Sequence, residues 1–279
     1  MTTPEIVVLA WARSPVAPVG GALRMLAPHE LAAPVVSALL ARAGVAPEKV
    51  DAVVAGNALG AGGNPARLVA LAADLPDRVA ALTVDTQCCA GLDAVLMAAG
   101  LLACGAAELV VAGGVEAWSR APIRQHRPIS AGDIAVAYQR PAFAPDPARD
   151  PDPFAAAALL AQRRGIGRAA QDGFVAASHA RALAAREAMR AEIVPLAGLD
   201  YDPYARLLSP ATLARMPAAS GAGPTAMNRA AIAPKADGAA FVLLATAELA
   251  RHLRVPARFA WRAGATVGAA PEMPLLAMV

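Results

Sequence analysis

Residues 79–119, VAALTVDTQCCAGLDAVLMAAGLLACGAAELVVAGGVEAWS, constrain the fold more than any other stretch. A β-rich run from Ala81 to Thr86 meets two adjacent cysteines, Cys88 and Cys89. An Ala/Leu/Met helix is predicted to follow from Gly91 to Cys104, and then a strand from Leu109 to Val111 that ends in Gly113-Gly114. A strand–helix–strand unit this poor in charge describes a sheet covered on both faces. The helix carries one charged side chain, Asp93, a pattern that suits burial all round.

The junction between strand and helix is where chemistry can sit. The first N–H groups of a helix are unpaired and carry partial positive charge. A thiol placed there is favoured as the thiolate, the form that attacks carbon. Two buried structural cysteines would satisfy the same pattern, because free Cys is among the most buried residue types.

Composition narrows the classes. With 279 residues, 57% apolar and 17% charged, the chain has the core of one large domain or two and not the make-up of a disordered one. The formal charge of +3 comes from arginine, Lys49 and Lys235 being the only lysines; no dense basic stripe points to nucleic acid. Three cysteines, two of them adjacent, make neither a disulfide framework nor a zinc pattern, so no metal is assigned and reduced thiols fit a cytoplasmic protein. The N-terminus lacks a basic leader, and the longest charge-free apolar run, Ala94 to Ala107, is too short to cross a bilayer. The expectation is a soluble protein with no membrane partner.

Along the chain, residues 5–12 read as a buried strand, Pro28 to Ala43 as a helix capped by Gly44, and Val50 to Ala55 as a second strand closed by Gly56-Asn57. Asn64-Pro65 starts another helix, with Asn64 as N-cap. Val110 to Val115 is a further strand. Residues 121–153 are irregular and rich in Pro, Arg and Asp; amphipathic helices follow at Ala155–Arg164 and Arg168–Arg190, then a second irregular stretch over 197–235. Short apolar strands alternating with helices argue an α/β protein with a mixed, mostly parallel sheet.

Several of these segments together resemble the thiolase family. T-V-D-T-Q-C-C-A-G-L-D-A-V (83–95) is similar to the family's nucleophile motif, with Cys88 at the acyl-accepting position, Cys89 in a small-residue slot, and Asp85 where the family has Asn. The opening strand closed by Arg13-Ser14-Pro15 and followed by Gly20-Gly21 is similar to the family's opening. Gly56-Asn57, Asn64-Pro65-Ala66-Arg67, G-G-V-E-A-W-S (113–119), R-A-A-Q-D-G-F-V-A-A-S-H-A-R-A (168–182), A-E-I-V-P-L (191–196) and D-G-A-A (237–240) then occur in the family's order. The serine that thiolases carry near the coenzyme is absent, Ala233 standing at its place, and no residue is assigned to coenzyme contact.

The resemblance implies a layered thiolase fold with a buried central helix. Residues 1–120 and 236–254 would form the N-terminal domain, 121–235 an inserted loop domain, and 255–279 the start of an incomplete C-terminal domain. It implies an acyltransferase that moves acyl groups between coenzyme A thioesters through an acyl-cysteine at Cys88. The coenzyme A thioester would be substrate, and no cofactor would be permanently bound. Thiolases also use a Gly-His-Pro histidine and a second cysteine from their second domain. His29, His126, His179 and His252 lack that setting and read as helix or surface residues, no cysteine follows Cys104, and Cys104 itself reads as core. The alternatives are a non-catalytic or partner-dependent thiolase-like subunit, and a different cysteine enzyme on the same fold. The expected partners are an acyl-CoA and further protein, as homodimer, tetramer, or a chain that supplies the C-terminal half.

Overall fold

The computed structural model describes residues 4–60 and 63–278. In chain order the elements are β1 Ile6–Arg13, β2 Ala17–Pro18, α1 Pro28–Ala43, β3 Ala52–Gly56, α2 Pro65–Ala72, β4 Ala80–Val84, α3 Ala90–Ala103 and β5 Leu109–Ala117. There follow β6 Arg124–His126, β7 Val136–Tyr138, α4 Pro153–Arg163, α5 Arg168–Ala184, α6 Arg186–Met189, α7 Pro210–Arg215, β8 Ala218–Ser220 and β9 Met227–Asn228. The chain continues through β10 Ala236–Thr246, α8 Ala247–Leu253 and β11 Phe259–Ala260. It divides into two compact units. One is the chain up to Pro122 with Arg186–Tyr204 and Lys235–Ala265; the other is Ile123–Ala185, Ala205–Pro234 and the chain from Thr266 on.

The first unit is a sheet in the order β11-β1-β10-β5-β3-β4, with β2 beside β10. Strands β1 to β5 share one direction; β10 and β11 run against them. Alternate residues feed two cores. Val53, Ala55, Leu109 and Val111 join the core under α1 and α2, while Ala52, Val54, Val110 and Ala112 join the core under α3. Strands buried on both faces need apolar residues at every position, which is why these segments read as continuous runs without alternation.

Local signals set the helix ends. Pro28 opens α1, where a missing N–H costs nothing, and Glu30 Oε2 accepts the Ala27 N–H at 2.7 Å. Gly44 closes it in the left-handed region at φ 65°. Asn64 Oδ1 accepts the Arg67 N–H at 3.3 Å and so caps α2; its Nδ2 donates to the Ala81 carbonyl at 3.0 Å, tying the cap to edge strand β4.

One expectation fails. The sequence predicts α3 buried all round, but only Ala90, Ala94, Ala98, Ala99 and Leu102 are buried, while Leu92 is 77% and Met97 43% exposed. Apolarity around the whole circumference permits burial on two sides; burial itself needs a layer on each side, and the sheet supplies one.

The segment Arg186–Tyr204, inside the span read as loop domain, belongs to the first unit through Arg13. The Arg13 N–H and carbonyl bond the Glu192 carbonyl (3.0 Å) and the Val194 N–H (2.7 Å). Its guanidinium donates Nε to Glu192 at 2.6 Å and both Nη atoms to Asp202 at 2.9 Å. Burial works against this charge, but the hydrogen bonds and charges of Asp202 and Glu192 together outweigh it and hold the Arg13 pKa above its ordinary value. The motif at 191–196 forms no strand, only isolated bridges of Ile193 with Arg13 and of Leu196 with Leu199. Strand β11, from the stretch read as the start of another domain, pairs with β1 in this same sheet.

The second unit has a small apolar core of Val175, Leu213 and Ala230 and relies on a polar hub. Asp172 accepts Arg168 Nε at 3.0 Å and the amide of fully buried Asn228. Arg168 Nη2 donates to the carbonyls of Leu213 (2.8 Å) and Met216 (2.9 Å). The predicted Arg168–Arg190 helix is broken at Ala185, and the stretch 197–235 holds α7, β8 and β9, elements too short to show a period.

Candidate active site

The carboxyl ends of the parallel strands β3 and β4 lie level, Gly56 pairing with Val84, and on the other side Gly56 pairs with Gly114 of β5, which runs on to Ala117. In open α/β sheets this is the edge where reactive groups gather. Beyond Val84 the chain makes a short 3₁₀ turn, Gln87–Cys89, and enters α3 at Ala90. Cys88 is in that turn and Cys89 is the N-cap of α3; both thiols are exposed. Gln87 occupies the left-handed region at φ 56°, uncommon for a residue with a side chain. Asp85 supports it by accepting the Gln87 N–H at 2.9 Å. Thr86 Oγ1 donates to Asp93, joining the turn to the first turn of α3.

Glycine lets this turn sit on the sheet. A Cβ on Gly56 would lie 2.4 Å from the Ala90 carbonyl carbon and 2.5 Å from the Gly91 nitrogen; one on Gly114 would lie 3.2 Å from Gly91 Cα. Backbone therefore packs on backbone where α3 begins, and the height of the cysteine turn above the strand ends is fixed by two missing side chains.

Beside it, Glu116 and Asn57 organise the loop after β3. Glu116 Oε1 accepts Asn57 Nδ2 at 2.5 Å and the Ala58 N–H at 2.8 Å, and Oε2 accepts the Leu59 N–H at 3.2 Å. Asn57 Nδ2 also donates to the Val115 carbonyl at 2.9 Å, and its Oδ1 accepts the Gly60 N–H at 3.0 Å. Fully buried Asp237 accepts both the N–H and the hydroxyl of Ser119, at 2.8 and 2.6 Å. The sequence motifs contain all four residues, yet nothing in them told which would pair with which.

Cys104 departs from expectation. It is the exposed C-cap of α3, with Sγ 3.4 Å from the Leu101 carbonyl, and not core. It follows exposed Met97 by seven residues, two helical turns, and so falls on the same open side of α3. The histidines stand apart from the cysteine turn in the chain: His29 in α1, His126 stacked on Tyr138 at 4.5 Å, His179 in α5 and His252 in α8. Among the described residues no three His, Cys, Asp or Glu side chains converge as a metal ligand set, and no helix is long and apolar enough to cross a membrane.

The profile described as "Thiolase, N-terminal domain" matches residues 6–248, and the chain belongs to the thiolase family. It is similar to the protein named "Putative acetyl-CoA C-acetyltransferase VraB" of Staphylococcus haemolyticus (strain JCSC1435), with 35% identity over 95% of this chain and 72% of that one. It is also similar to "Putative acetyl-CoA C-acetyltransferase YhfS" of Bacillus subtilis (strain 168), at 36% identity over 93% and 68%. Among solved structures, the acetyl-CoA acetyltransferase of Bacillus anthracis superposes with a TM-score of 0.80 at 30% identity, over 91% of this chain and 68% of that one.

Proposed function

We propose that this protein is a thiolase-type acyltransferase in which Cys88 takes an acyl group, acetyl above all, from a coenzyme A thioester. The observation that carries the reading is the position of Cys88. It sits in the exposed turn at the carboxyl ends of β3 and β4, at the height that Gly56 and Gly114 set. The relatives' names supply the acyl donor. In the first step the Cys88 thiolate attacks the thioester carbonyl carbon. The tetrahedral intermediate collapses, the carbon–sulfur bond to coenzyme A breaks, and coenzyme A leaves with the proton that the cysteine gave up. One thioester replaces another, so the step needs little driving force.

Forming or cleaving a carbon–carbon bond takes a second acid–base at the acceptor's α-carbon. The sequence has no Gly-His-Pro histidine and no cysteine after Cys104. The chain alone therefore stops at the acyl-cysteine, and turnover draws on groups from a further domain or a partner chain. In this reading 1–120 with 236–254 form the nucleophile domain, on which Arg186–Tyr204 and β11 also pack, and the remainder of 121–235 is the loop domain. The open apolar face of α3, with Leu92 and Met97, supports association with further protein, either a second copy or the complementary half. The setting is the cytoplasm, where thiols stay reduced.

The test is mass spectrometry of the purified chain after incubation with acetyl-CoA. One acetyl group is expected on Cys88 and none on the Cys88→Ala variant, with no carbon–carbon product formed. A label on Cys89 or Cys104, or no label, would refute the nucleophile; turnover by the chain alone would refute the need for a second half.

A further inference from the structure

Cys89 gives the site a second thiol for which acyl transfer has no use. It occupies the N-cap of α3 but makes no capping hydrogen bond through its side chain, and it is exposed beside an equally exposed Cys88. Within the turn the Cys89 N–H reaches the Thr86 carbonyl only at 3.4 Å, so the peptide that joins the two cysteines is weakly bonded. The chain's third thiol cannot take part. Cys104 lies at the other end of α3, and 14 residues of helix place it about 20 Å away, far beyond the roughly 7 Å between Cα atoms that a disulfide tolerates. Of these three cysteines, only Cys88 and Cys89 are close enough to pair.

We propose that Cys88 and Cys89 form a peroxide-sensitive dithiol that closes to a vicinal disulfide. The Cys88 thiolate attacks one oxygen of a peroxide. The O–O bond breaks, and a sulfenic acid and one water (or alcohol) are left. The Cys89 sulfur then attacks the Cys88 sulfur, the S–O bond breaks, and the oxygen leaves as water with the proton of the Cys89 thiol. Two thiols are oxidised by two electrons and one peroxide is reduced. Adjacent Cα atoms are about 3.8 Å apart across a trans peptide, short of the about 4.4–6.8 Å of a relaxed disulfide. The ring is therefore strained, and strained, exposed disulfides are the readily reduced, regulatory kind. Closure protects Cys88 from irreversible oxidation, and an ordinary thiol reductant reopens it. That closure also stops acylation rests on the role proposed above for Cys88; the oxidation itself does not.

The experiment treats the intact chain with excess hydrogen peroxide, alkylates the remaining thiols, and sequences the 79–120 peptide by tandem mass spectrometry. The expected peptide has lost two hydrogens, is alkylated at Cys104 only, and regains two alkylatable thiols after dithiothreitol. In Cys89→Ser, an exposed position, Cys88 is expected to give a dimedone-trapped sulfenic acid and then an irreversible sulfinic acid. Sulfinic acid at Cys88 in the wild type as fast as in Cys89→Ser, disulfides that join two chains, or two thiols still free at 88 and 89 would each overturn the proposal. Because the wild-type readout involves no acyl donor, failure of acetyl labelling leaves it standing, and its own failure leaves acyl transfer standing.

Discussion

Replacing Gly56 by alanine tests whether backbone-on-backbone packing sets the nucleophile's place. The new Cβ would stand 2.4 Å from the Ala90 carbonyl carbon and 2.6 Å from its oxygen. Carbon atoms pack at about 3.5–4.0 Å, so the first turn of α3 or the end of β3 has to move by about 1 Å. The three nearest atoms are all backbone, so no flexible side-chain end is there to give way. Overpacking of this kind costs about 1–3 kcal/mol, and for a chain of this size each kcal/mol lowers the melting temperature by about 2–4 °C. The functional loss is larger: a 1 Å misplacement of a reacting group costs about 100-fold in rate.

The measurements are a thermal melt by circular dichroism and the rate of acetyl labelling of Cys88. Gly114→Ala, with its closest approach at 3.2 Å, is expected to do less harm, and Gly91→Ala, at 3.8 Å, less again. That ranking carries the test even where Gly56→Ala does not fold. Gly100→Ala, exposed in the same helix with nothing within 4 Å, is expected to gain up to about 1 kcal/mol. Gly56→Ala with the melting point and labelling rate of wild type would refute the reasoning.

Arg13→Met removes the partner of two half-buried carboxylates, Glu192 and Asp202, and is expected to cost about 2 kcal/mol in urea unfolding; an unchanged midpoint would mean that Arg186–Tyr204 is held by other contacts. His179 has its pKa pressed below 6.5, first by burial and then by Arg206, while its Nδ1 accepts the Arg206 N–H at 3.3 Å. The folded state thus binds this proton more weakly than the unfolded one. Its contribution is intact above the unfolded value of 6.5 and is lost as pH falls below it. Melting points taken between pH 7.5 and pH 5 (about the imidazole range) should fall less steeply in His179→Gln than in wild type, and equal slopes would remove His179 from the account.

The sequence alone determined what depends on neighbours along the chain. The limits of α1, with Pro28 at one end and Gly44 at the other, follow from a missing N–H and a left-handed residue. Asn64 as the cap of α2 and the cysteine pair where strand turns into helix follow in the same way. Each is fixed by forces that act within a turn or two of the residue concerned. Tertiary structure decided whatever needed a partner far away in the chain. Arg13 finds Glu192 and Asp202 across 179 and 189 residues, and Glu116 finds Asn57 across 59. The glycines of the site gave no hint that Gly56 lies under Ala90. The exposed side of α3 is the plainest case. Its composition records only that burial all round would be tolerated, because apolarity is a property of the helix itself. Whether a second layer covers Leu92 and Met97 is a property of what packs there, and no periodicity within fourteen residues can encode it.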